Sequence, residues 1–576
     1  MKARSIRPLL AAVWLPLVAG SAARPVGAQR IDVVELTVER IGADYARGAY
    51  TAVELTRVFL DRIASYEDHY NAFISMNPAA LETAAELDRE YALSGPRGPL
   101  HGVPVVIKDN IDFGGLLTTA GYWGFSSATG GIDLVPDDDA AVVTRLKAAG
   151  AIILGKTNMP DFAGHGTRTR SSVAGVTLNP YATDRVPGGS SGGTATAVNA
   201  SFAVLGLGTE TGGSIQNPAA AQALVGVKPT YALVPLEGVY PIQATYVDVV
   251  GPLARTVADA AIALDVIAGP TDEDLATYAA AGRIPDGGYR AALDSSALRG
   301  KRFGLVGAGW RDEYLPLDAR TETLYRRAIE VLRSQGAEVV EDPFDGSGFK
   351  ELYEDQPRVP SQGAHDVHVY LQGLGPGAAF HSRAEWEALT GRRFGSGMDD
   401  DPQAGGGARG GRGGAAAGAR GDSAAAGRGE GGRGGRGGRG GARVPARPSA
   451  TEEGDAFGAW RMQIRALFRD VLDRHDLDGL FFPQAGAPIR LLVEDTDRPT
   501  YNPNNHAELP SNIINEIGLP VVTVPHGYYE DGTPFVLAFI GDLWTEAELL
   551  AYAYDMEQAF DGRRPPRLTT REPPSR

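Results

Sequence analysis

The chain has 576 residues, no cysteine and a formal net charge of −16 at pH 7. The lack of cysteine excludes disulfides, Cys-ligated zinc, iron–sulfur clusters and a cysteine nucleophile, and it leaves the redox compartment open. The acidic balance disfavours nucleic acid as the main partner, and the 43% of apolar residues is typical of a globular protein.

The N-terminus has the composition of a secretory signal peptide. Basic residues precede an apolar run over 9–19 that is too short to span a bilayer comfortably, and small residues end at Ala28 before a suitable cleavage site. The sequence therefore predicts a signal peptide over 1–28 and a secreted or periplasmic protein without a transmembrane segment. An uncleaved membrane anchor is the alternative.

Helices and strands alternate along the chain from residue 31. Helices are predicted over 31–93, where Thr51 and Glu54 form a capping box, and an apolar strand over 103–107 ends at Lys108. The later elements are a helix over 140–149, a strand over 151–154, a loop over 156–160, a strand over 302–306, a helix over 322–334, a strand over 337–340, a helix over 457–475, strands over 479–482, 520–525 and 535–540, and a helix over 545–560. This alternation predicts the α/β fold class.

Residues 396–448 differ from the rest of the chain because Gly, Ala and Arg dominate them. Nine arginines stand against two acidic residues between Gly405 and Ala450, and such a segment lacks the apolar surface to fold. We predict a disordered insert in a surface loop, with non-specific nucleic-acid binding by the GRGGRGGRGG tract at 432–441 as the alternative. Residues 563–576 are rich in Pro and Arg and predict a flexible tail.

The most informative stretch holds two Gly-Ser clusters, GGSSGG at 188–193 and TGGS at 211–214. Glycine at this density allows a close approach between the backbone and a substrate. The mostly apolar run over 195–207 between the clusters argues against a solvated linker. The first cluster also contains two overlapping G-x-S-x-G patterns, which alone suggest an α/β-hydrolase nucleophile at Ser190 or Ser191 with a later acid and histidine.

Two other kinds of site find little support in the sequence. A phosphate-binding loop needs lysine after the glycines, and Thr194 stands there. His365 and His368 have a spacing that metal ligands use, but no third ligand accompanies them. The sequence therefore predicts neither a cofactor nor a metal.

Several long motifs occur along the chain in a fixed order. They are GPLHGVPVVIKDNID at 98–112, ILGKTNMPDFA at 153–163, the two Gly-Ser clusters, VGVKPTYALVPLEGV at 225–239, VGPLARTVADAAIALDVIAG at 250–269 and NEIGLPVVTVPHGYYEDGTPFVLAFIG at 515–541. Together they resemble the amidase signature family, serine hydrolases with a Ser-cis-Ser-Lys triad. The resemblance implies the α/β amidase signature fold, a large mixed β-sheet covered by helices, in one domain over 29–562 that the 396–448 insert interrupts.

The resemblance also implies which groups react. Ser214 falls at the family's nucleophile, Lys108 at its base and Ser190 at its bridging serine. The bridging serine follows a cis peptide bond in the family, which here is the bond between Gly189 and Ser190. Ser191 is implied as a supporting hydrogen-bond partner.

The second Gly-Ser cluster is implied to stabilise the developing oxyanion. Its donors are the backbone N–H groups of Thr211, Gly212, Gly213 and Ser214. A free lysine titrates near about 10.4, so burial must lower the pKa of Lys108 before that amine can accept a proton.

The chain departs from the family pattern behind the nucleophile. Glu210 stands where Asp is usual, and Gln216 stands where Arg is usual. An acid and an amide form no ion pair, although they can form a hydrogen bond. We interpret the change as altered support for the nucleophile rather than as loss of activity.

The expected function is hydrolysis of a carboxylic amide to an acid plus ammonia or an amine, through an acyl-enzyme on Ser214. The alternatives are an esterase of the α/β-hydrolase type that uses Ser190 or Ser191, and a non-catalytic binding protein on an amidase scaffold. The expected partner is a small-molecule or peptide amide, and residues 365–374 are similar to the peptide-amidase-like branch. The predicted signal peptide argues against transamidation, which needs cytoplasmic partner proteins.

Overall fold

The computed structural model describes residues 31–312, 315–360, 363–395, 451–492, 509–560 and 562–570. The predicted signal peptide over 1–28 and the predicted insert over 396–448 lie outside the described residues. Among the helices of the described ranges, none combines the length and the apolar character that crossing a membrane requires.

Thirteen strands are described, and 11 of them form one mixed sheet. The strands are β1 (Phe73–Met76), β2 (Pro104–Lys108), β3 (Ile152–Thr157), β4 (Arg170–Ser171), β5 (Gly175–Val176), β6 (Leu205–Glu210), β7 (Val225–Lys228), β8 (Val249–Ala254), β9 (Arg302–Leu305), β10 (Glu338–Val340), β11 (Gly479–Pro483), β12 (Val521–Tyr528) and β13 (Pro534–Ile540). The order in the large sheet is β1-β3-β2-β6-β8-β7-β12-β13-β11-β9-β10, and β4 pairs with β5 separately.

Helices cover this sheet, as the sequence predicts for an α/β protein. They are α1 (Val38–Ala46), α2 (Ala52–Tyr70), α3 (Ala80–Ser94), α4 (Ala141–Ala148), α5 (Gly192–Asn199), α6 (Gln216–Ala221), α7 (Val257–Ile267), α8 (Ala319–Ser334), α9 (Phe349–Glu354), α10 (Gly363–Gln372), α11 (Arg383–Thr390), α12 (Glu452–His475), α13 (Ser511–Ile517) and α14 (Glu546–Ala559). Helix α5 packs on β2 and β6, α7 on β8 and α14 on β12. The predicted capping box of Thr51 and Glu54 begins α2.

Three neighbouring strands bring the first site residues together. Strand β2 pairs in parallel with β3 and with β6, and its residue Ile107 lies opposite Leu207 of β6. All residues of the three strands are buried, as expected of parallel strands covered on both faces. The carboxyl ends of β2 and β6 therefore meet at one edge of the sheet, where Lys108 and Glu210 lie.

The structure corrects two local predictions. Lys156 and Thr157 belong to β3 rather than to a loop, because the β2–β3 pairing continues to Lys108 and Thr157. Residues 73–76, inside the stretch predicted as helices, form β1 antiparallel to β3. Helix α2 ends at Asn71 in the left-handed conformation, which turns the chain towards β3.

The segment that the sequence predicts to be a tail begins with contacts to the domain. The Arg563 guanidinium forms an ion pair with Glu35 at 2.6 Å. The Thr569 N–H donates to the hydroxyl of Tyr70 at 3.0 Å. These contacts anchor the start of the segment.

Candidate active site

Lys108 ends β2 with its amine fully buried. Its Nζ lies 2.7 Å from Ser190 Oγ, 2.9 Å from Thr209 Oγ1 and 3.1 Å from the carbonyl oxygen of Thr209. Burial lowers the pKa of Lys108 to about 7, against the opposing pull of the Asp248 and Glu210 carboxylates. Near neutral pH a large fraction of this amine therefore carries no proton and can accept one.

Thr209 is a site residue that sequence reasoning missed. It lies on β6, next to β2, and both its hydroxyl and its carbonyl oxygen accept hydrogen bonds from the Lys108 amine. The side-chain amide of Asn110 lies 3.2 Å from the same hydroxyl. The sequence position of Thr209 could have indicated this role, because Thr209 carries a hydroxyl near the end of an apolar strand, one residue before Glu210.

Ser190 is the first serine of the GGSSGG cluster, and its hydroxyl contacts Lys108. The peptide bond between Gly189 and Ser190 is cis, as the resemblance implied. A Cβ on Gly189 would stand 2.7 Å from the carbonyl oxygen of His165 and 3.1 Å from that of Arg168. Only glycine therefore fits before Ser190 unless these backbone atoms move.

Ser191 connects the two Gly-Ser clusters. Its backbone N–H donates to the carbonyl oxygen of Ser214 at 3.2 Å, and its hydroxyl donates to the carbonyl oxygen of Thr209 at 3.1 Å. In the described part of the chain, neither Ser190 nor Ser191 is hydrogen-bonded to a histidine. The α/β-hydrolase alternative requires such a partner.

Ser214 ends the loop over 211–214 that follows β6. Within the described ranges, none of the four backbone N–H groups of residues 211–214 donates to a protein acceptor. Gly213 adopts φ 122°, a conformation that favours glycine. Ser214 Oγ makes no hydrogen bond to Ser190 Oγ among the described residues, and such contacts commonly tighten only with substrate bound.

Asp248 braces the same loop from the residue before β8. Its carboxylate accepts from the hydroxyl of Thr211 at 2.7 Å and from the backbone N–H groups of Ile242 and Gln243, both at 2.8 Å. Burial raises the pKa of Asp248 to about 6. Asp248 is thus a second residue that sequence reasoning missed, and it acts on Lys108 through charge.

Glu210 and Gln216, the two departures from the family pattern, are in contact. The side-chain amide of Gln216 donates to Glu210 Oε1, so the acid–amide hydrogen bond is formed. Asn515 of α13, a third residue that the sequence did not indicate, donates to the same oxygen at 2.7 Å.

A second buried lysine fixes the segment after β2. Lys156 Nζ lies 3.7 Å from Asp109, and Asp109 accepts from the backbone N–H and hydroxyl of Thr119 at 3.0 and 2.5 Å. Within the described residues no group of three or more His, Asp or Glu side chains is arranged to hold a metal ion.

The fold and this arrangement define the class of protein. The model of the amidase family matches residues 54–353. A glutamyl-tRNA(Gln) amidotransferase subunit of Alkaliphilus metalliredigens is 30% identical over 91% of this chain and 96% of that relative. The chain belongs to the amidase signature family, and it has the fold that the sequence predicts for it.

One further curated relative and one solved structure are also similar to this chain. The corresponding subunit of Roseiflexus castenholzii is 43% identical over 310 residues, which are 53% of this chain and 59% of that relative. The crystal structure of peptide amidase from Stenotrophomonas maltophilia superposes with a TM-score of 0.71, at 31% identity over 93% of this chain and 99% of that one. The chain is a hydrolase that acts on the carbon–nitrogen bonds of amides.

Proposed function

We propose that this chain hydrolyses a carboxylic amide through an acyl-enzyme on Ser214, with Lys108 as base and Ser190 as proton relay. The observation that carries the proposal is the 2.7 Å contact between Lys108 Nζ and Ser190 Oγ, beside a loop of four unengaged N–H groups. A base, a nucleophile and oxyanion donors are the three groups that acyl transfer needs.

The proposed steps begin at the contact between Lys108 and Ser190. Neutral Lys108 accepts the proton of the Ser190 hydroxyl, and Ser190 takes the proton of Ser214 as Ser214 Oγ attacks the amide carbon. The N–H groups of residues 211–214 donate to the resulting oxyanion. The relay then returns the proton to the nitrogen, the carbon–nitrogen bond breaks, and water later hydrolyses the ester on Ser214.

The supported substrate is a peptide or small-molecule amide, because a solved relative that matches 93% of this chain is a peptide amidase. We propose that this chain acts without protein partners, as a secreted or periplasmic enzyme with a signal peptide over 1–28. The 396–448 insert is proposed to be dispensable, so its deletion should leave amide hydrolysis intact.

Active-site labelling tests the proposal without knowledge of the substrate. The mature protein is treated with a fluorophosphonate, and the modified residue is mapped by mass spectrometry. We expect an adduct on Ser214 that is lost in Lys108→Ala and retained in the distant control Lys301→Ala, where the lysine is partly exposed. An adduct on Ser190 or Ser191 would favour the esterase alternative, and an unlabelled protein would favour the binding protein.

A further inference from the structure

Glu210 is a buried carboxylate that is held by N–H groups alone. It ends β6 and is 1% exposed. One oxygen, Oε2, accepts from the backbone N–H groups of Ile215 at 2.7 Å and Gln216 at 3.0 Å. The other oxygen, Oε1, accepts from the side-chain amides of Gln216 and Asn515. Among the described residues Glu210 forms no ion pair, and these four N–H groups are the hydrogen-bond donors to its two oxygens.

Glu210 holds the two ends of the nucleophile loop, residues 211–214, close together, and we call this arrangement the clasp. The loop over 211–214 begins directly after Glu210, and its far end is held where Ile215 and Gln216 donate to the Glu210 carboxylate. One side chain thus fixes both ends of the segment that carries Ser214 and the four unengaged N–H groups. A shift of this carboxylate would move the nucleophile and the oxyanion donors together.

Helix α13 supplies the outer support of this clasp. Its residues Ile513, Ile514 and Ile517 are buried in an apolar core cluster. Asn515 faces Glu210 and also donates to the carbonyl oxygen of Ser511 at 2.7 Å. Asn512, one turn earlier, places its Oδ1 3.0 Å from the position that a Cβ on Gly212 would take. The helix is therefore fixed in the core on one side and contacts the nucleophile loop on the other.

We infer that Asn515 and Gln216 are positioning residues, which act through Glu210 to hold the loop over 211–214 in the geometry that binds the oxyanion. The inference rests on the proposed function, because it assigns the loop a part in acyl transfer. Hydrogen bonds to a buried charge are the strong class of hydrogen bond. The loss of one donor should therefore loosen the clasp more than the rest of the domain.

Two substitutions of Asn515 test the inference. Asn515→Ala removes the donor and leaves a gap, and Asn515→Asp keeps the shape but faces Glu210 with an acceptor. The matched control is Asn77→Ala, because the buried Asn77 amide donates to the carbonyl oxygen of Ile153 at 2.7 Å away from this loop. Each variant is assayed for kcat and KM on an amide, for the rate of fluorophosphonate reaction at Ser214, and for Tm.

Loss of oxyanion geometry has a recognisable kinetic signature. We expect both Asn515 variants to lower kcat and the fluorophosphonate rate about 10- to 100-fold, with KM changed less than about twofold, because the oxyanion forms only in the transition state. Asn77→Ala should lower Tm without this loss in rate. A variant at 515 that is too unstable to assay is replaced by Gln216→Leu, which removes the other side-chain donor on Oε1.

The outcomes separate this inference from the proposed function. Wild-type protein that fails to react at Ser214 overturns the proposed function and the inference with it. Wild-type protein that reacts normally, with 515 and 216 variants equally fast once corrected for folded fraction, overturns the positioning role alone. A parallel fall in kcat and fluorophosphonate rate at constant KM supports it.

Discussion

The protonation of Lys108 should set the pH at which Ser214 reacts. With its pKa lowered to about 7 by burial, the amine is neutral in about half of the molecules at pH 7, about one tenth at pH 6 and about nine tenths at pH 8. A lysine with the ordinary pKa near 10.4 would be neutral in only about 0.04% of molecules at pH 7. The fluorophosphonate rate should therefore rise about tenfold from pH 6 to pH 8 and then level off.

Asp248→Asn gives this prediction its sharpest form. The Asp248 carboxylate raises the pKa of Lys108 against the effect of burial, so its removal should lower that pKa further. The midpoint of the rate profile then moves to more acidic pH. Asp259→Asn is the control, because Asp259 is a buried acid that accepts from the N–H of Val38 at 2.9 Å and lies outside the charges that act on Lys108.

The assay measures the second-order rate of labelling from about pH 5 to about pH 9, with the adduct located by mass spectrometry. A rate that keeps rising above about pH 9 would mean that Lys108 titrates as an ordinary lysine. A midpoint that moves to higher pH in Asp248→Asn would refute the electrostatic reasoning. An equal shift in Asp259→Asn would assign the effect to loss of packing rather than to charge.

Three further substitutions follow from contacts around the site and the domain. Thr209→Val removes a hydroxyl that lies 2.9 Å from Lys108 Nζ and should lower kcat about tenfold, whereas Thr209→Ser should retain it; equal rates would show that the carbonyl of Thr209 suffices. Gly189→Ala brings a Cβ to 2.7 Å from the carbonyl oxygen of His165. Because the backbone must then shift, this substitution should abolish labelling of Ser214 and lower Tm. Gly42→Ala, with open space around it, should do neither. Arg563→Ala breaks the ion pair with Glu35 and should lower the free energy of unfolding by about 1–3 kcal/mol while kcat stays unchanged. Arg567→Ala, at an exposed position, should change neither quantity. Thermal unfolding and steady-state kinetics measure the two effects.

The sequence was most informative where the reacting groups lie in short runs of consecutive residues. The two Gly-Ser clusters and the strand that ends at Lys108 held the residues that the resemblance assigned to the site, and the structure places Ser190 beside Lys108. The strand over 103–107 could be predicted because all its positions are buried and apolar, which is a local property.

Other features depend on contacts between distant segments, which no local pattern encodes. Asn515 meets Glu210 across 305 residues, and although the sequence singled out Glu210, it did not indicate that Asn515 is its partner. A charged side chain at the end of an apolar run predicts a loop at Lys156. In the structure Lys156 is instead a buried strand residue, because its backbone pairs with β2 and its amine lies near the Asp109 carboxylate. Strand β1 escapes sequence reasoning because its four residues follow a long helix and gain their order from β3.

Strand β7 pairs with β12, a strand that lies almost 300 residues later in the chain. Lys108, Ser190 and Ser214 all precede β7, but β7 finds its outer neighbour only when Val521 and Val522 lie opposite Lys228 and Val227. During synthesis, a chain that has not yet reached residue 522 would hold a complete set of reacting side chains beside an unpaired sheet edge, which favours aggregation. A chain cut before β12 would therefore keep Lys108, Ser190 and Ser214 but lack the strand that pairs with β7.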